Sequence, residues 1–144
     1  MNIGKFVLNV VVAFIAYGIL YQGGTMMIAD QMESAKAMMN PDEEIMVATL
    51  AYHFVQTVVV VWLFDKAVGS GDMKAGAVFG AMIGLYLMAT QAIWFEAVKG
   101  LPQDPRAVMA VMDIVFGAIV GVVLAFMYSK GWGASGGEEA ADAE

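Results

Sequence analysis

The sequence predicts an all-α protein: a four-helix transmembrane bundle with a short amphipathic helix in the first loop and a disordered acidic C-terminal tail. Three observations carry this reading. Of the 144 residues, 60% are hydrophobic and 15% are charged, where soluble domains carry about 25% charged residues. Mean hydropathy is +0.71. Four apolar segments, at about 5–22, 45–64, 75–95 and 106–128, each approach the ~20 residues that a helix needs to cross a bilayer. Backbone groups in lipid must be satisfied within the segment, so helices are the structure expected at this spacing.

The first span opens with Lys5 and runs apolar from Phe6 to Leu20. It is longer than the apolar part of a signal peptide, and no small-x-small cleavage site follows, so it is expected to be retained. Gly23 and Gly24 are expected to end it. From Thr25 to Met39, Ile28, Met32, Ala35 and Met39 recur at i, i+4, i+7 and i+11, while Asp30, Glu33, Ser34 and Lys36 lie elsewhere. That period describes either a short amphipathic helix at the interface or a continuation of the first helix.

The second span follows "NPDEE", with Asn40 as N-cap, Pro41 at the first helical position and Glu43 three residues after the cap. Asp72 is placed to cap the third, and Asp104 with Pro105 in "QDPRA" to start the fourth. The transmembrane domain is thus expected over 1–130. Residues 131–144, ending in "GASGGEEAADAE", are small and acidic without an apolar face and are expected to be disordered.

Aromatic residues mark the interfaces: Tyr21 and Trp94 on one side, Trp62, Tyr128 and Trp132 on the other. Lys5, Lys66, Lys74 and Lys130 fall on one side, against Lys36, Lys99 and Arg106 on the other. The bias places both termini in the cytoplasm, as for a multi-pass protein of a bacterial inner membrane. The net charge of −7 argues against nucleic acid, which needs a basic footprint, and against a polybasic grip on anionic lipid.

The third span carries Gly76, Gly80 and Gly84, and the fourth Gly117 and Gly121, with Ala125 continuing the spacing. Small residues at this spacing let helix backbones approach closely. They can pack the third helix on the fourth or form an interface with another chain. "FGAMIG" in the third span echoes "FGAIVG" in the fourth, a match that small-residue helices also produce by chance.

The second span has a polar face: Thr49, His53, Gln56 and Thr57 share one side of a helix. The fourth contains one charge, Asp113. At 1.5 Å per residue, His53 and Asp113 both lie roughly 10–12 Å below the same surface. Thr90 and Gln91 of the third span and Tyr17 of the first fall near that depth. The expected intramembrane polar cluster is therefore Tyr17, His53, Gln56, Thr57, Gln91 and Asp113. Within it, Asp113 is positioned to accept a hydrogen bond from His53 or to share its proton. Two readings stand: a dry network that specifies helix packing, and a ligand or proton site.

There is no cysteine and a single histidine, so thiolate metal sites and nucleophilic cysteines are excluded, and no enzyme constellation emerges. Thirteen methionines raise Cu(I) binding, but methionine is also an ordinary apolar filler. Haem ligation rests on His53 alone. No metal or cofactor is expected.

The aromatic-rich "AYGILYQGG" of the first span, the glycine stripe of the third, and "MDIVFGAIVG" closing on "AFMYSKG" in the fourth resemble small four-helix bacterial membrane proteins of unknown function. The resemblance implies four helices over most of residues 1–130 and no particular activity. The expected function is a non-catalytic membrane protein, an accessory or assembly subunit of a larger membrane complex. The alternative is a homo-oligomeric small-molecule or proton-linked binding or transport protein that uses the His53–Asp113 cluster.

Overall fold

A computed structural model describes residues 1–33, 45–100 and 106–135, together with the backbone of 42–44. It is all-helical among these residues: α1 (Ile3–Met27), α2 (Asp42–Ala67), α3 (Met73–Ala97) and α4 (Arg106–Ser129). Each is long and apolar enough to cross a membrane. The helices alternate in direction, so the start of α1 and the end of α4 lie on one side, here called the terminal side; the opposite side is called distal.

Helix α1 starts at Asn2, whose Oδ1 accepts from the Lys5 amide at 3.0 Å. It does not stop at Gly23 and Gly24, as expected, but continues to Met27. Gly24 serves a contact rather than a break: a Cβ there would overlap Met112 Cε and come within 2.9 Å of the Phe116 ring. Thr25–Met27 are thus part of α1, and turns follow through Met32. The rest of the expected amphipathic helix, from Ser34 to Met39, and the caps Asn40–Pro41 and Asp104–Pro105 lie outside the described residues.

Asp72 caps α3, accepting from the amides of Lys74 at 2.9 Å and Ala75 at 3.1 Å. Gly69, at φ +54°, supplies the left-handed residue that ends α2. Gly71 lies so close to the end of α4 that a Cβ would stand 2.7 Å from Ser129 Cβ.

Helices α3 and α4 form the tightest pair. A Cβ at Gly80 would overlap the Gly117 carbonyl, one at Gly84 the Asp113 carbonyl, and one at Gly76 would lie 2.5 Å from the Gly121 carbonyl. Reciprocally, Gly117 faces Gly80 and Gly121 faces Gly76. The glycine stripes are therefore spent inside the bundle, where backbone approaches backbone.

The core fills the terminal half. Val10, Ala13 and Tyr17 of α1, Val61 and Phe64 of α2, and Val120, Leu124, Ala125 and Tyr128 of α4 form one buried cluster. Phe64 meets the rings of Phe79 and Tyr128 edge-on at 5.4 and 5.2 Å. Towards the distal side α2 leaves this core: residues 46–52 are all exposed.

Order extends past the expected boundary of the transmembrane domain at residue 130. The Trp132 amide donates to the Met127 carbonyl at 3.0 Å, with Gly131 at φ +74°, the closing pattern of a Schellman motif. Gly133 packs on the Tyr128 ring. The Ala134 carbonyl then accepts from the Asn2 amide at 2.8 Å. Residues 131–135 are thus strapped to the start of α1, a correction to the expected tail; residues 136–144 lie outside the described part.

Candidate intramembrane binding site

Asp113 sits two turns inside α4 and is 2% exposed. Helical side chains lean towards the N-terminus of their helix, so its carboxylate leans towards the distal side. There Tyr21 Oη donates to Oδ1 at 2.5 Å and Gln91 Nε2 to Oδ2 at 2.9 Å. Gly84 makes the second bond reachable. It brings α3 onto the Asp113 backbone, and Gln91, seven residues on, projects from the same face of α3.

The expected His53–Asp113 hydrogen bond does not form. Both carboxylate oxygens are taken by other donors, and the Tyr21 ring stands against the imidazole, with centroids 5.4 Å apart. Tyr21 also meets Phe116 edge-on at 5.3 Å. It is a partner of the buried carboxylate, not the interfacial anchor its position suggested. Its spacing of four from Tyr17, with the rings 6.1 Å apart, is the sequence signal that would have placed it inside.

The remaining cluster residues surround open space. A cavity of about 230 Å³ lies between α2 and α3, lined by Tyr17, Tyr21, His53, Gln56 and Thr57 together with Val60, Leu63, Ile83, Tyr86 and Leu87. A second, of about 440 Å³, lies between α1 and the distal half of α2, with Phe14, Gln22, Thr49 and Leu50 on its walls. Tyr17, Tyr21 and His53 line both.

Thr57 is buried and satisfies itself, donating to the His53 carbonyl at 2.7 Å. Tyr17, His53 and Gln56 are different. Their side chains have no hydrogen-bond partner among the described residues, although Tyr17 is only 7% exposed. Thr90, near the same depth, is exposed and bonds the Tyr86 carbonyl at 3.0 Å. The six expected residues thus divide in two: Gln91 and Asp113 form a closed network with Tyr21, while Tyr17, His53, Gln56 and Thr57 face a cleft.

Two buried polar residues were missed in the sequence. Asn9, fully buried, donates from Nδ2 to the Lys5 carbonyl at 2.6 Å and the Trp132 carbonyl at 2.9 Å. Asp65 Oδ1 accepts from Tyr128 Oη at 2.6 Å, and Oδ2 lies 3.3 Å from Lys66 Nζ. Tyr128 is therefore also turned inward rather than anchoring at the interface. The signal that singled out Asp113, a polar residue within an apolar run, applies equally to Asn9. Asp65 escaped because the second span was ended at residue 64.

Among the described residues, no three His, Cys, Asp or Glu side chains converge as a metal site. At the distal end, Arg106 pairs with Glu96 and ties the start of α4 to the end of α3. No family model, curated protein or solved structure matches the chain.

Proposed function

We propose that this chain is a non-catalytic multi-pass membrane protein, with both termini cytoplasmic, that binds a small lipophilic molecule drawn from the bilayer. One observation carries the reading: three hydrogen-bonding side chains, Tyr17, His53 and Gln56, line a largely apolar cleft within the span and have no hydrogen-bond partner among the described residues. An unpaired polar group in an apolar medium costs several kcal/mol by transfer measurements. A ligand that supplies the missing bonds offsets that cost. Asp113, buried and doubly bonded, belongs to the scaffold that holds Tyr21 in the cleft wall.

The test is to purify the protein from its native membrane in mild detergent and identify the small molecules that accompany it. A lipophile at a fixed ratio to protein is expected, and Ile83→Trp, which fills the cleft, is expected to remove it without lowering the melting temperature. If the wild type carries nothing that Ile83→Trp displaces, the reading fails. A fixed protein partner in its place would favour the accessory-subunit role.

A further inference from the structure

The binding reading leaves the ligand unnamed, and the chemistry of the cleft narrows it. Resting on that reading, we propose that the α2–α3 cleft takes an uncharged planar ring bearing two carbonyl oxygens, of the quinone type, with its apolar chain leaving sideways into the bilayer. The two oxygens accept from Gln56 and His53, and the ring lies among the aromatic side chains of the cleft.

Four features point to this class. First, each unpartnered group carries at least one donor: a phenol O–H, an imidazole N–H and an amide NH2. A head group with two acceptor oxygens takes up two of these donors. Second, no Lys or Arg lines the cleft, so nothing there neutralises a phosphate or carboxylate. The carboxyl of Asp113 stands behind Tyr21 and supplies no counter-charge for an anionic head. Phospholipids and fatty acid anions are disfavoured on this ground.

Third, the walls are aromatic. Tyr17, Tyr21 and His53 form a run of rings at 6.1 and 5.4 Å spacing, and Tyr86 of α3 contributes a further ring. Planar rings pack on such walls in offset or edge-on contacts. Fourth, His53 and Gln56 are three residues apart on one helix, which places their Cβ atoms about 5–6 Å apart. From there the two longer side chains can splay to reach two acceptors on one ring. The cavity of about 230 Å³ suits a ring head and not a whole prenylated molecule, so the chain must leave between α2 and α3.

Gln56 gives a test that separates a ligand contact from a structural one. Its amide has no partner to lose, so Gln56→Leu is expected to hold or raise the melting temperature of the ligand-free protein while weakening binding. The experiment titrates the purified full-length chain in uncharged detergent with decyl-benzoquinone, and separately with monolaurin, an uncharged acceptor lipid without a ring. Saturable quinone binding is expected, weakened at least tenfold by Gln56→Leu and by His53→Phe, and unchanged by Val78→Ala on the exposed face of α3.

Quinone binding that neither substitution weakens is partition into the micelle and overturns the inference. Saturable binding of monolaurin without quinone, lost in Ile83→Trp, overturns the quinone class and leaves the binding reading standing. If neither compound binds and the native-membrane preparation carries nothing, both fall.

Discussion

At the residue scale, the carboxylate of Asp113 is tolerable in the span because each oxygen receives its own donor. A charged side chain at a helix centre costs roughly 2.5–3.5 kcal/mol on insertion scales, and paired groups facing a bundle interior reduce that cost. Tyr21→Phe and Gln91→Leu each remove one donor. Each is expected to destabilise the bundle by about 1 kcal/mol, measured by unfolding in detergent, and a double-mutant cycle is expected to show coupling through Asp113. His53→Ala is expected to leave stability nearly unchanged, since no side-chain bond is lost. Sequence spacing revealed the depth of Asp113, Gln91 and His53, and two of the three do meet. It left Tyr21 ambiguous, because a tyrosine near a membrane boundary satisfies the aromatic-belt rule as well as the inward-facing rule, and only its spacing of four from Tyr17 pointed inward. Depth alone does not say which side chain stands between two others.

At the element scale, glycines of similar appearance in sequence have opposite roles. Gly80→Ala and Gly117→Ala would drive a methyl into a facing backbone carbonyl. Each is expected to separate α3 from α4 and lower the melting temperature sharply. Gly18, also helical, has nothing within 4 Å of an added Cβ. Gly18→Ala is expected to be neutral or stabilising by up to about 1 kcal/mol, the ordinary propensity difference. Gly24→Ala should fall between, because Met112 and Phe116 present side-chain atoms that can yield. The stripes on α3 and α4 were legible as contact surfaces, but not their partner, since close approach in lipid serves two chains as well as two helices of one chain. The end of α1 was misread for a related reason: a glycine pair resembles a helix stop unless the residues packed against it are known.

At the scale of the whole molecule, the bundle is firm on one side and open on the other. The terminal half holds the buried cluster, the Asp65–Tyr128 bond and the strap of residues 131–135. In the distal half α2 stands away, and a cleft opens on each of its flanks, one at mid-depth against α3 and one distal against α1. Truncation after Gly131 removes the carbonyls that accept from Asn2 and Asn9. It is expected to lower the melting temperature. The four helices were legible because length and hydropathy decide them. The strap was not, because Gly133–Ser135 is a small-residue stretch whose order comes from contacts made far along the chain.

The Asn9 bond sets an order of assembly. Asn9 enters the membrane with the first span, while one of its acceptors, the Trp132 carbonyl, lies 123 residues later in the chain. During synthesis the amide can reach the Lys5 carbonyl within its own helix, but its second donor waits for α4 and the residues after it to arrive. Helix α1 therefore makes its last buried bond only when α4 is in place. A growing polypeptide of this protein advertises, in α1, whether α4 has been delivered.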